Sequence, residues 1–253
     1  SVVVSMVGGQ DLGIRVIWRA PDGTEHRASA GQTSNGDLIT ARHTFGTQPK
    51  SQISLADTSG RASQADSFNT VTQTSRDSSI GNSTSGNNHQ NKVTVQVVDH
   101  TTGKVLEENT GTATFNGDPN LTNAQGVLSD TAKIKLDKPF QTKVEQFDIV
   151  KPGEKFENFD MDTVRVENPN PNGKPIGDQN LKFAGISQEG IMQFENPNGL
   201  LAEGASGAPI TAEINGVRKI IGYVSVGNDG TIHSPFLGAQ KPSEDLKTLN
   251  LVT

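Results

Sequence analysis

Short apolar runs alternate with clusters of Gly, Asn, Asp and Pro along most of this chain. Such punctuation predicts many short strands joined by turns, and so an all-β architecture. Residues 1–7, Ser-Val-Val-Val-Ser-Met-Val, are rich in β-branched side chains and suit a strand that Gly8-Gly9 ends. Gly13 to Trp18 reads as a second strand. Pro21-Asp22-Gly23 turns the chain, and Arg27 to Ala30 pairs back as a hairpin. After the Asn35-Gly36-Asp37 turn, Leu38 to Phe45 is an apolar strand that runs into His43 at its end.

Residues 51–91 differ: Ser, Thr, Asn, Gln and Gly dominate, with little apolar periodicity. This predicts a long surface insertion, partly disordered or forming a peripheral hairpin. Strands resume at Val93 to Asp99 and near Val105. Thr112 to Phe115 reads as a short, exposed one, and Asp130 opens a strand in which Ala132, Ile134 and Leu136 alternate with polar residues. Residues 137–160, with Pro139, Pro152 and Gly153, suit a linker. The division expected is an N-terminal lobe over 1–140, carrying the insertion, and a C-terminal lobe over 141–253. In the latter, strands are expected at Thr163 to Glu167, Leu181 to Ile186 and Gly190 to Glu195. Ala208 to Glu213 and Val217 to Val226 form a hairpin closed by Asn215-Gly216, a strong turn signal. A last strand lies near Thr231 to Leu237. Ser243 is placed to cap a short closing helix with Leu246 and Leu249 on one face.

The length of 253 residues suffices for one large domain or two packed lobes. A net charge of −6 with no long basic run argues against a nucleic-acid partner. No run of apolar residues is long enough to predict a membrane span. The absence of cysteine excludes disulfides, thiol nucleophiles and Cys-ligated zinc. The histidines are scattered without His-x-x-x-His spacing, so neither a metal site nor a cofactor is expected.

Candidate chemistry centres on Glu203-Gly204-Ala205-Ser206-Gly207-Ala208-Pro209. Glycines on both sides of a serine permit a tight turn at positive φ. Such a turn pushes the Ser206 hydroxyl outward and aims the Gly204 and Ser206 amides into one small space, which a tetrahedral intermediate requires. Taken alone, a motif of this kind is more often just a turn. His43 is open to two readings, a polar strand terminus or a general base at a barrel rim. Asp130 is either a turn or cap residue, or the buried carboxylate behind a histidine.

The order His43, Asp130, Ser206, and the contexts around each, resemble the trypsin/chymotrypsin-like serine protease family. Thr40-Ala41-Arg42-His43 is similar to its Thr-Ala-Ala-His. Ser129-Asp130-Thr131-Ala132-Lys133-Ile134-Lys135-Leu136 is similar to its Asn-Asp-Ile-Ala-Leu-Leu-Lys-Leu. Gly204-Ala205-Ser206-Gly207-Ala208-Pro209 resembles its Gly-Asp-Ser-Gly-Gly-Pro. Ile221 to Gly227 resembles its substrate-binding strand, and Met6-Val7-Gly8-Gly9 its Ile-Val-Gly-Gly start. His43 and Asp130 stand 87 positions apart, against about 45 in the family. Looping out residues 51–91 accounts for the excess.

The resemblance implies two six-stranded antiparallel β-barrels with a cleft between them. His43, Asp130 and Ser206 would form the catalytic triad, the Gly204 and Ser206 amides the oxyanion hole, and Ser225, Val226 and Gly227 the strand that binds substrate backbone. Two departures stand out. The family's animal digestive members carry an Asp before the nucleophile that pairs with a freed N-terminus, whereas this chain has Ala205, so its loop must be ordered otherwise. The floor of the first substrate pocket falls near Leu200, which argues against a basic substrate side chain and for an apolar pocket. His233 is either a surface-loop residue or part of the pocket wall, where it could meet an acidic side chain. The function expected is a serine endopeptidase acting on polypeptide substrates as a secreted monomer. A weakly active or inactive binding protein on the same fold, and a self-processing protease, are the alternatives.

Overall fold

Val16 and Ile14 face Ala28 and Ala30 across an antiparallel pair, large side chains opposite small ones, and all four are buried. This is the first hairpin of a computed structural model that describes residues 12–45, 54–57, 92–115, 130–170, 174–196, 204–228, 230–238 and 248–252. The expected strand at residues 1–7, and Met6 to Gly9, lie outside the described residues. In chain order the strands are β1 (Leu12–Arg19), β2 (Glu25–Thr33), β3 (Leu38–Ala41), β4 (Ser54–Asp57), β5 (Lys92–Asp99) and β6 (Val105–Phe115). There follow β7 (Thr131–Leu136), β8 (Gln146–Ile149), β9 (Asp160–Val166), β10 (Gln179–Asn180), β11 (Lys182–Ser187) and β12 (Ile191–Glu195). The last are β13 (Pro209–Ile214), β14 (Val217–Tyr223), β15 (Val226–Asn228), β16 (Thr231–Pro235) and β17 (Thr248–Val252).

The first barrel runs β1-β5-β6-β7-β3-β2 and closes where β2 pairs with β1. Period-two alternation builds its interior. Val93, Val95 and Val97 are buried while Thr94 and Gln96 are less so, and Ala132 and Ile134 are buried between exposed Lys133 and Lys135. Trp18 stacks on His26 at 5.4 Å and meets Phe45 edge-on at 6.2 Å. Phe45 ends the short 3-10 turn Arg42–Phe45, so this aromatic contact anchors the turn that carries His43.

Two sheets make the second barrel. One continues from the first barrel as β8-β14-β13-β9-β10, and the other contains β15-β16-β12-β11. They join where the Leu181 amide donates to the Val164 carbonyl at 3.0 Å and the Leu237 amide to the Ile221 carbonyl at 2.9 Å. Phe156, Phe194, Ile210, Ile221 and Phe236 fill the core between them. Asn215 and Gly216, with φ of 50° and 76°, close the β13–β14 hairpin as the Asn-Gly signal requires. The chain is thus all-β, of the chymotrypsin double-barrel type.

Four expectations change. The linker at 137–160 is in part a packed element: β8 pairs in parallel with both β2 and β14, and Val150, Phe156 and Phe159 belong to the second core. The strand near Val105 and the short one at Thr112 to Phe115 are one strand, β6, in which Ala113 is fully buried. The closing helix is not found in the described part of its segment. Leu249 lies on β17, which pairs with β11 and β4, because Thr248-Leu249-Asn250-Leu251-Val252 alternates at the strand period; residues 239–247 lie outside the described residues. Within the polar insertion, Ser54–Asp57 forms β4 against β17, and residues 58–91 lie outside the described residues.

Candidate active site

Three elements bring His43, Asp130 and Ser206 together. His43 leaves β3 on the one-turn helix, Asp130 immediately precedes β7, and Ser206 sits in the turn before β13. Because β3 and β7 pair from Leu38↔Ile134 to Ala41↔Thr131, their ends are held side by side, and the Arg42 amide donates to the Asp130 carbonyl at 2.9 Å. The nucleophile turn reaches this point from the second barrel.

Asp130 and His43 share two contacts. The His43 backbone amide donates to Asp130 Oδ1 at 2.8 Å, and His43 Nδ1 lies 2.6 Å from Asp130 Oδ2. A carboxylate only accepts, so the imidazole proton sits on Nδ1. Nε2 is left as an acceptor, and it stands 2.9 Å from Ser206 Oγ. All three side chains are buried, His43 and Asp130 to within 2% of full burial. At so low a local dielectric these contacts are strengthened. The Ser206 hydroxyl was expected to face outward, but the residue is fully buried. A cleft of about 880 Å³ lined by Lys135, Phe140, Thr142 and Gln146, among others, does not include the triad.

The flanking glycines behave as the sequence demands. Gly204 has φ of 100° and Gly207 of 87°. At Gly207 a Cβ would come within 2.2 Å of Thr40 Oγ1 and 2.3 Å of the Ser29 carbonyl, so any side chain would drive the turn off the first barrel. Ala208 donates its amide to the Ala205 carbonyl at 3.1 Å. In a planar trans peptide this aims the Ser206 N–H the opposite way. The Gly204 N–H belongs to the peptide of Glu203, outside the described residues.

Ser225, expected to bind substrate backbone, donates its hydroxyl to Asp130 Oδ2 at 2.8 Å and its amide to the His233 carbonyl at 3.2 Å. Val226 and Gly227 lie on β15, which pairs with β16 on one side and is the edge of its sheet among the described strands. His233 is fully buried on β16 rather than in a surface loop, and its Nε2 is 2.9 Å from Gln193 Oε1 on β12. Burial pulls this imidazole down to about 3, so it is neutral at physiological pH. Leu200 lies outside the described residues.

Two residues that sequence reasoning missed border the triad. Tyr223 Oη is 2.7 Å from Thr131 Oγ1, next in sequence to Asp130. Burial, and then the Asp130 charge, hold the Tyr223 phenol well above its ordinary value, so it stays neutral. Ser29 on β2 donates its amide to the Ser206 carbonyl at 2.8 Å and its hydroxyl to the Gly204 carbonyl at 2.8 Å. Ser29 falls in no motif, and Tyr223 lies in the Ile221 to Gly227 stretch with nothing in the sequence to mark its partner Thr131. Among the described residues no group of His, Asp and Glu is arranged to hold a metal ion, and no helix is long and apolar enough to cross a membrane.

No protein-family model matches the chain, and no curated protein matches it. Among solved structures it is similar to Rv3671c from M. tuberculosis H37Rv, there a serine-to-alanine mutant in an inactive form. Identity is 11%, the TM-score is 0.47, and the match covers 92% of this chain and 84% of that one.

Proposed function

We propose that this protein is a serine endopeptidase in which Ser206 is the nucleophile, His43 the general base and acid, and Asp130 the group that orients His43. One observation carries the reading: an unbroken line of contacts from Ser206 Oγ through the His43 ring to Asp130, at 2.9 Å and 2.6 Å. Ser206 Oγ attacks the carbonyl carbon of the scissile bond while its proton passes to His43 Nε2. The carbonyl oxygen becomes an oxyanion beside the Gly204 and Ser206 amides. His43 then gives its proton to the leaving amine, and an acyl-enzyme remains on Ser206. Water, deprotonated by His43 in turn, releases the acid and restores the serine. Asp130 keeps the proton on Nδ1 throughout and stabilises the imidazolium.

Substrate backbone would add as a further strand along Ser225, Val226 and Gly227, at the open edge of β15. The substrate is a polypeptide, and the protein acts as a secreted monomer. Ser206→Ala tests the reading: hydrolysis of a peptide library is expected to fall by about 10⁴-fold or more. An unchanged rate contradicts it.

A binding protein on the same fold is the second reading, and the full burial of Ser206 favours it. It is supported if the folded wild-type chain cleaves no member of the library.

A further inference from the structure

Ala205 takes the place where the animal digestive enzymes have an aspartate, and it is fully buried in the apolar core of the second barrel. No charge at that position fastens the nucleophile turn. The turn is nonetheless held at three consecutive peptide carbonyls. Gly204 O accepts from the Ser29 hydroxyl at 2.8 Å, Ala205 O from the Ala208 amide at 3.1 Å, and Ser206 O from the Ser29 amide at 2.8 Å. Two of these three donors belong to one residue of the opposite barrel.

Ser29 is itself fixed. Its hydroxyl accepts from the Asn170 amide at 2.9 Å and from Asn170 Nδ2 at 3.4 Å, while donating to Gly204. One donor and two acceptor sites exhaust what a hydroxyl offers. Its carbonyl accepts from Thr40 Oγ1 at 2.7 Å, three residues before His43. Ser29 and Asn170 are both buried to within 1%. Asn170 Nδ2 also donates to the Ile14 carbonyl at 3.2 Å, tying the brace to β1.

We propose that Ser29 is the positioning residue of the nucleophile turn: its hydroxyl, locked by Asn170 and aimed at Gly204, fixes the peptides that present Ser206 to His43. The catalytic part of this inference rests on reading Ser206 as the nucleophile; the positioning part does not. A planar peptide whose carbonyl is pinned has its N–H pinned as well. Releasing Gly204 O lets the peptide that ends in the Ala205 N–H rotate, and the adjoining Ser206 peptide then keeps only the Ala208 contact to hold it. Removing the hydroxyl also leaves two buried groups, Gly204 C=O and Asn170 N–H, without this partner.

Two measurements on full-length Ser29→Ala test the inference. The first is amide hydrogen exchange at Gly207 and Ala208, whose N–H groups donate to the Val224 and Ala205 carbonyls. Exchange there is expected to speed up about 10- to 100-fold, with Val95 on β5 unchanged. The second is peptide hydrolysis, where kcat is expected to fall about 10- to 100-fold with KM within about twofold. Ser29→Gly, which keeps both backbone contacts, is the second variant if Ser29→Ala does not fold. Exchange and kcat both unchanged in the folded variant overturn the inference. Faster local exchange in Ser29→Ala, with a wild-type protein that hydrolyses nothing, supports the brace and removes only the protease reading. Exchange that rises equally at Val95 overturns it, because the hydroxyl then serves general stability.

Discussion

Ser225 and His43 converge on one atom. Ser225 Oγ donates to Asp130 Oδ2 at 2.8 Å, and His43 Nδ1 meets the same oxygen at 2.6 Å, while Oδ1 takes the His43 amide. The carboxylate therefore cannot rotate without breaking contacts on both oxygens. Ser225→Ala leaves two of the three donors in place. It is expected to lower kcat about 10-fold with little change in KM, checked by steady-state hydrolysis of a peptide substrate. A change in KM alone, with kcat unchanged, contradicts this positioning role for the hydroxyl.

Gly207 packs directly against the backbone of the first barrel at Ser29 and Ala41. With φ of 87° and a Cβ that would stand 2.2 Å from Thr40 Oγ1, Gly207→Ala combines left-handed strain with overpacking. A loss of about 3 kcal/mol in stability is expected, measured by urea unfolding. Gly216→Ala, at φ of 76° but with nothing within 4 Å, is expected to lose only about 1 kcal/mol.

His233 makes the fold sensitive to acid. Its folded value of about 3 lies below the ordinary 6.5, so the unfolded chain binds the proton first. The stabilisation is present above pH 6.5 and is lost as pH falls towards 3. Between pH 8 and pH 5 the wild type is expected to lose about 2 kcal/mol through this residue. His233→Gln is expected to lack that loss, measured as the difference in unfolding free energy between variant and wild type at the two pH values. A difference that does not change with pH contradicts it.

Asp178 works with the opposite sign. Burial, then the charge of Glu167 and a hydrogen bond with it, push Asp178 up from 3.8 to about 7. Arg165 opposes this, with Nε 2.7 Å from Glu167 Oε1 and 3.7 Å from Asp178 Oδ2, and Glu145 and Arg218 are also coupled to Glu167. The folded state keeps its proton to higher pH than the unfolded one, so this contribution is present below about pH 4 and lost as pH rises through 7. Asp178→Asn is expected to gain stability over the wild type on going from pH 5 to pH 8, read from urea midpoints. A constant difference between the two counts against it.

Much of this was legible because particular backbone shapes demand particular residues. Gly204 and Gly207 at positive φ, and Asn215-Gly216 in the hairpin, are such cases. Alternation of Ala132, Ile134 and Leu136 with polar residues marked β7, whereas β4 lies in a polar stretch without it. What escaped the sequence was side-chain partnership over long separations. Ser225 finds Asp130 across 95 positions and Ser29 finds Gly204 across 175, and a serine carries no mark of either. Short parallel pairing hid β8 inside an apparent linker, since two residues on each side leave no periodic signature. Leu249 was misread because a spacing of three between leucines suits a helix, whereas the Leu249 and Leu251 pair suits the observed strand.

The central claim is that the Ser206 hydroxyl is activated by His43. Incubation with a fluorophosphonate, followed by mass spectrometry of the digested protein, tests it most directly. The account predicts a single covalent adduct on Ser206 that is lost in His43→Ala; a folded wild-type protein that forms no adduct, or forms it equally well without His43, contradicts it.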